Sequence, residues 1–141
     1  MFLLANNGII KGPRLAVPSL RGDFMSLTIN TKTFSLDAHL SPDGARYAGP
    51  NQSYSGRDHL DLKRTFPKPT DTFAGNARAQ AKFSRTLTDG TDPVGEAVVD
   101  IRVQLPAAGA AAEVTALVAD VASYVGGADF LSLVNDLDIT Y

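Results

Sequence analysis

Residues 76–88, NARAQAKFSRTLT, alternate between polar and apolar positions, interrupted only by Arg85. Successive side chains of a β-strand point to opposite faces, so the polar members of this segment share one face. They are Arg78, Gln80, Lys82, Ser84 and Thr86. An antiparallel sheet commonly packs one face on a core and exposes the other to water. The pattern therefore predicts a strand with one polar face, and for a single strand the ordinary water-exposed face of an antiparallel sheet is the preferred interpretation.

Two further segments, residues 59–66 (HLDLKRTF) and residues 96–105 (EAVVDIRVQL), alternate in the same way. Their polar sides carry Lys63 and Thr65 in the first segment and Asp100 and Arg102 in the second. Turn-rich links join the three segments, so we expect three neighbouring antiparallel strands with the same chemistry on one face.

Upstream, residues 27–40 alternate around the break NTK, which predicts a short hairpin. Residues 41–58 contain two prolines and three glycines, and this composition predicts a turn-rich connection.

Beyond Pro106 the apolar spacing changes to steps of three and four, which indicates a helix. Its apolar positions are Val114, Leu117, Val118, Val121 and Val125. Gly126 and Gly127 are typical stop residues. A second helix is predicted from about residue 128 to 136, with Asp129 suited to capping and to the helix macrodipole.

Two helices cover only two or three strands of such a sheet, so part of its apolar face needs another cover. This imbalance favours a dimer in which the helices of one chain lie across the sheet of the other, although a packed monomer remains an alternative.

Composition adds charge to this picture. The 141 residues suit one domain, contain no cysteine and carry a formal net charge of −2. Residues 46–88 hold eight Lys or Arg against three Asp, whereas residues 89–141 hold nine acids and one Arg. This asymmetry suggests a surface that faces a polyanion. We expect no metal site or cofactor, and the lack of an apolar run of about 18–20 residues predicts no membrane partner.

Three fragments in this order, NARAQAKFS, AVVDIRVQL and FLSLVNDLDITY, resemble the coat proteins of small single-stranded RNA bacteriophages, the levivirus type. The resemblance covers about residues 25–141. It implies an α+β fold with an N-terminal β-hairpin, a five-stranded antiparallel sheet and two C-terminal helices, arranged as an interlocked dimer. Residues 1–24 do not match and form an N-terminal extension of uncertain status, either a real arm or an upstream region read in frame.

The resemblance also implies a structural capsid protein that assembles in the bacterial host cytoplasm into the icosahedral shell of a virion. Its polar sheet face would bind a genomic RNA hairpin that acts as packaging signal and translational operator. Carried over by position, the RNA-binding residues are Lys63, Thr65, Arg78, Gln80, Lys82, Ser84, Asp100 and Arg102. Val98 stands where some relatives have a base-stacking tyrosine, and residues 88–96 match the connection that gathers around symmetry axes.

An enzyme would need a nucleophile with a base, paired carboxylates in a cleft, or metal ligands. His59 and Asp61 share a strand face but have no evident pocket, so we expect no enzymatic activity. The stronger alternative is a dimeric RNA-binding repressor that does not form shells.

Overall fold

The computed structural model describes residues 25–139. Six strands form one antiparallel sheet in which each strand lies beside its neighbours in sequence. They are β1 (Ser26–Ile29), β2 (Lys32–Ser41), β3 (Gly44–Ala48), β4 (Asp58–Thr65), β5 (Asn76–Asp89) and β6 (Asp92–Pro106). The helices α1 (Ala111–Val125) and α2 (Ala128–Asp136) follow. The α+β class, with an antiparallel sheet and two C-terminal helices, is confirmed, while the expected 1–24 extension lies outside the described residues.

The predicted N-terminal hairpin is present, and its second strand belongs to the main sheet. β1 and β2 are joined by a two-residue turn in which Asn30 and Thr31 have φ values of 48° and 63°. Positive φ at both central residues is the geometry of the type I′ turn, whose twist matches that of the flanking strands. Strands β2 to β6 then make five strands, so the hairpin and the five-stranded sheet share β2.

The prediction of a connection throughout residues 41–58 was wrong, because β3 lies within it. This five-residue strand pairs with β2 on one side, where Leu36 faces Tyr47, and with β4 on the other, where Arg46 faces Asp61. A segment this short shows too little alternation to stand out in the sequence. Its backbone N–H and C=O groups form hydrogen bonds with the two longer strands beside it, so the strand depends on tertiary contacts that the local sequence does not show.

The strands β5 and β6 form a long hairpin, with Gly90 at a φ of 67° in its two-residue turn. Glycine adopts this left-handed conformation without the strain that a Cβ would cause. The predicted turn-rich link between these two strands is present, and it is short, since β6 already begins at Asp92.

The two helices begin and end close to the predicted residues. Gly126 ends α1, and Gly127 is the N-cap of α2, so the predicted capping role of Asp129 was wrong. Asp129 instead lies in the first turn, where its charge complements the macrodipole. The rings of Tyr124 and Phe130 meet edge to face between the two helices, with their centroids 5.8 Å apart.

Within the described range no single helix is long and apolar enough to cross a membrane. Only α1 and α2 taken together reach the necessary length and hydropathy, and that pair is bent by 53°.

A buried acid fixes the loop between β3 and β4. Asp58 is only 2% exposed, accepts a hydrogen bond from Arg85 Nε at 3.0 Å and accepts another from the Asn51 backbone N–H at 3.1 Å. A Cβ at Gly49 would lie 2.5 Å from Asp58 Oδ2 and 2.8 Å from the ring of Phe34. Only glycine fits there, and the pairing explains why a charged Arg85 lies on the apolar side of β5.

The apolar face of the sheet has little cover from its own chain. Among the described hydrophobic residues only Phe34 and Leu60 are buried, whereas Ile101 on β6 and Leu117 on α1 are 38% and 52% exposed. Neither helix contains a buried residue, and the helices contact each other rather than lying on the sheet as a layer. A single chain therefore leaves two apolar surfaces open, one on the sheet and one on α1.

The turn between β1 and β2 holds Thr31 in a strained left-handed backbone conformation that a substitution could relieve. A β-branched residue in the left-handed region costs roughly 1–2 kcal/mol, so Thr31→Gly should raise the free energy of unfolding by about 1 kcal/mol. Thr31→Ala keeps the Cβ and should gain much less. Urea unfolding at matched protein concentration would measure both variants. An equal gain from glycine and alanine would mean that the turn is unstrained.

Candidate nucleic-acid interface

The structure places all eight predicted site residues on one face of β4, β5 and β6, which we call the polar face. Across the three strands the register forms rows. They are Thr65, Arg78 and Gln104; then Lys63, Gln80 and Arg102; then Asp61, Lys82 and Asp100; then His59, Ser84 and Val98. Neighbouring strands lie about 4.8 Å apart and alternate residues along a strand about 6.6 Å apart. The polar face is thus a regular grid of charged and hydrogen-bonding groups.

Most of the predicted residues are accessible to a ligand. Three rows of the polar face, those of Thr65, of Lys63 and of Lys82, contain seven of the eight predicted residues. Each of these seven is exposed or half-buried. Lys82 itself is half-buried between β4 and β6. Ser84 shares the face but is only 7% exposed, so its hydroxyl offers little surface.

Asp100 organises two of the predicted residues. One oxygen of its carboxylate accepts a hydrogen bond from Gln80 Nε2 at 2.8 Å. The other accepts from Arg102 Nε and Nη2 at 2.9 and 2.6 Å. The hydrogen bonds from Arg102, and to a smaller extent the one from Gln80, lower the pKa of Asp100 below its ordinary value, so the carboxylate stays ionised. Both oxygens are engaged, and Asp100 therefore orients its neighbours.

A second carboxylate on the face is held by an arginine that the sequence analysis did not select. Arg46 on β3 donates from Nε and Nη2 to the two oxygens of Asp61 at 2.7 and 2.8 Å. This bidentate hydrogen bonding lowers the pKa of Asp61 below its ordinary value of 3.8. Asp61 alternates with Lys63 and was recognisable from the strand pattern. Arg46 was missed because its strand was taken for a connection.

Gln104 also belongs to the face and was missed. Its Oε1 accepts a hydrogen bond from Arg78 Nε at 3.0 Å. The signal was present in the sequence, because Gln104 follows Arg102 at a spacing of two in a segment already predicted as a strand.

The polar face carries surplus positive charge although the chain as a whole is slightly acidic. The carboxylates of Asp61 and Asp100 each pair with an arginine. Lys63 and Lys82 form no ion pair with any residue in the part of the chain that the structure describes. The ammonium groups therefore remain available to an anion, and backbone phosphates are ligands that such groups bind.

The described residues contain no group of three or more acidic or histidine side chains placed to hold a metal ion. His59 and Asp61 follow one another along the same side of β4, and Asp61 is already bound by Arg46. The arrangement provides cations and hydrogen-bonding groups on an open surface rather than a reacting pair in a cleft.

Solved structures of virus-like particles have a similar fold. The protein of the virus-like particle of bacteriophage GQ-907 matches with a TM-score of 0.66 and 19% sequence identity over 89% of this chain and 99% of that chain. That of Beihai levi-like virus 21 matches with a TM-score of 0.65 and 18% identity over 83% of this chain and 97% of that chain. The protein of the virus-like particle of Wenzhou levi-like virus 4 matches with a TM-score of 0.66 and 17% identity over 79% of each chain. The chain has the fold of these levi-like particle proteins.

No family model matches the sequence, and no curated protein matches it significantly. At such low identity the levi-like fold is what the chain shares with the particle proteins. The roles of individual side chains on the polar face therefore depend on this chain's own geometry.

The pair of Arg46 and Asp61 gives the levi-like sheet a testable dependence on pH. Since the folded state lowers the pKa of Asp61, the pair stabilises the fold above the ordinary value of 3.8, and this stability is lost as the pH falls through the lower folded value. Arg46→Met should reduce the free energy of unfolding by about 1 kcal/mol or less at neutral pH, because the pair is partly exposed. The difference from the wild type should disappear in acid.

Urea unfolding across this range of pH would follow the difference, and an NMR titration of Asp61 should give a higher pKa in the variant. Arg57→Met removes the more exposed pair with Glu96 and serves as the control. A deficit of Arg46→Met that stays constant down to strong acid would show that the ion pair is not its cause.

Proposed function

We propose that this chain is a structural capsid protein that dimerises, assembles into an icosahedral shell and binds single-stranded RNA on its polar face. The observation that carries the proposal is the division of one sheet into two unlike faces. One face is apolar and uncovered, and the other is a grid of cations and hydrogen-bonding groups. The first suits a protein partner and the second suits a nucleic acid.

The uncovered apolar surfaces support the dimer. Val118 and Val121 on α1 and Val99 and Ile101 on β6 are all more than a third exposed, which is costly for a chain that has to stay folded in water. A second copy can offer its helix to this sheet and its sheet to this helix, as an isologous contact requires. Such an exchange buries both surfaces at once.

The edge of the sheet supports the same arrangement. β6 is the last strand of the sheet and, among the described residues, has no strand beyond it. Its 15 residues leave a long row of backbone N–H and C=O groups free to pair with another chain. The proposed dimer pairs this edge with that of the second copy and so satisfies the exposed groups.

The polar face supports RNA as the ligand. Unpaired lysines provide attraction to phosphates that does not depend on sequence, while amides and hydroxyls can contact exposed bases. Single-stranded loops are the usual targets of base-specific RNA recognition, and a hairpin loop displays such bases. In the proposed virion this hairpin is the packaging signal and translational operator, and the shell forms in the bacterial host cytoplasm.

Electron microscopy of the purified protein tests shell formation directly. Closed particles are the expected result. A stable dimer that binds RNA but forms no particles would instead identify the chain as an RNA-binding repressor.

The dimer depends on the apolar side of α1. Leu117→Asp would place an unpaired carboxylate in the proposed contact at a cost of several kcal/mol, about as much as the whole stability of many domains. Folded dimer and particles should both disappear, as measured by analytical ultracentrifugation and circular dichroism. Ala116→Asp lies on the opposite side of the same helix and should leave both intact. A folded Leu117→Asp monomer would overturn the proposed dimer.

RNA binding depends on the cations of the polar face. Arg78→Ala and Lys82→Ala should each weaken binding of a single-stranded RNA. Each should also reduce the slope of log affinity against log salt by roughly 0.7–0.9 for every phosphate that the variant no longer binds. The dimer should stay folded because both side chains lie on the polar face.

Lys32→Ala removes the same charge at the β1–β2 turn, away from the polar face, and should leave the slope unchanged. Filter binding at several salt concentrations would measure all three variants. Equal slopes in the wild type and in both polar-face variants would refute this surface as the RNA site.

A further inference from the structure

One row of the polar face presents hydrogen-bond donors and an acceptor in a fixed order. Lys63, Gln80 and Arg102 stand side by side on β4, β5 and β6. They line one open concavity of about 470 Å³ together with Thr65 and Arg78. This volume falls within the range of about 300–1,000 Å³ that small-ligand sites occupy.

Asp100 fixes the orientation of the central amide. An ionised carboxylate can only accept hydrogen bonds, so the group of Gln80 that faces it at 2.8 Å has to be the NH₂. The carbonyl oxygen Oε1 of Gln80 takes no part in this bond and is therefore available to accept from a ligand. The lowered pKa of Asp100 means that this orientation holds at neutral pH.

Donors flank this acceptor on both sides. Lys63 has three N–H groups and no ion pair with another described residue. Arg102 gives Nε and Nη2 to Asp100 and keeps further guanidinium N–H groups for a ligand. The row therefore reads donor, acceptor, donor from β4 to β6.

We propose that this row binds an unpaired uracil through its Watson–Crick edge, an inference that rests on the proposed RNA-binding function. Uracil presents the complementary order: the O4 acceptor, the N3–H donor and the O2 acceptor. Lys63 donates to one carbonyl, Gln80 Oε1 accepts from N3–H, and Arg102 donates to the other carbonyl. Asp100 is a positioning residue that acts through Gln80 and Arg102.

The same row rejects cytosine. Cytosine has an amino group in place of O4 and an unprotonated N3, so a donor would face Lys63 and an acceptor would face Gln80 Oε1. The adjacent hydroxyl and guanidinium groups bind ribose and phosphate alike in both cases. The preference therefore belongs to the base edge and not to the backbone.

Short homopolymers of equal length test the proposal at one fixed salt concentration. Oligo(U) should bind the wild-type protein about tenfold more tightly than oligo(C), the discrimination expected from one well-formed base contact. Both are pyrimidine chains with the same charge, so the phosphate contribution is matched. An oligomer of 3-methyluridine, which lacks the N3–H, should bind no better than oligo(C).

Three variants locate the preference. Gln80→Ala should abolish it, and Asp100→Asn should abolish it without weakening overall binding, because the amide orientation is released while a negative charge is removed. Gln104→Ala removes an amide whose oxygen is already held by Arg78, and it should keep the preference. Circular dichroism checks that each variant is folded.

Three outcomes overturn the inference. Equal, salt-dependent binding of oligo(U) and oligo(C) by the wild type, or an undiminished preference in Gln80→Ala, would refute uracil recognition and leave the proposed RNA-binding function standing. Failure of the wild type to bind any of the homopolymers would overturn the RNA-binding function and this inference together.

Discussion

The strict alternation of side chains in β4, β5 and β6 is the constraint on which the rest of the structure depends. Because every second residue points the same way, a strand cannot gain polar groups on one side without committing the other side to apolar contacts. A slip of one residue in the register would exchange the two faces completely. The register places Ala79, Ala81 and Phe83 together on the apolar face, which the proposed dimer would cover, and the same register fixes the polar grid.

The acids on the polar face have a role that their charge alone would not suggest. A carboxylate on a surface that binds a polyanion opposes binding, yet two are present in the middle of the grid. Each holds an arginine in one geometry, and Asp100 also holds an amide. Surfaces that bind nucleic acid gain specificity from side chains whose orientation is set before the ligand arrives, and under the proposed RNA-binding function the acids would set that orientation here.

The parts of the fold that could be predicted are those in which local pattern and final structure agree. The strands β4 to β6 and both helices are recognisable by their period, and the hairpin at residues 30 and 31 by its turn. The strand β3 could not be found, because its five residues become a strand only through pairing on both sides. Arg46 lies in this strand, so its place on the polar face could not be predicted either. The direction of the Gln80 amide also lies beyond any pattern, since it follows from a neighbour 20 residues away on another strand.

The order of the strands bears on how such a chain folds. Every strand pairs with the next one in sequence, so the sheet can form by successive hairpins with little loop-closure entropy at each step. The resulting sheet still lacks a core of its own, because so few of its hydrophobic side chains are buried. Under the proposed dimer, the final stabilising step is therefore bimolecular, and the rate of folding rises with the concentration of newly made chains. Synthesis rate then sets the onset of assembly, since dilute chains lack the partner that stabilises their fold and concentrated ones pair quickly.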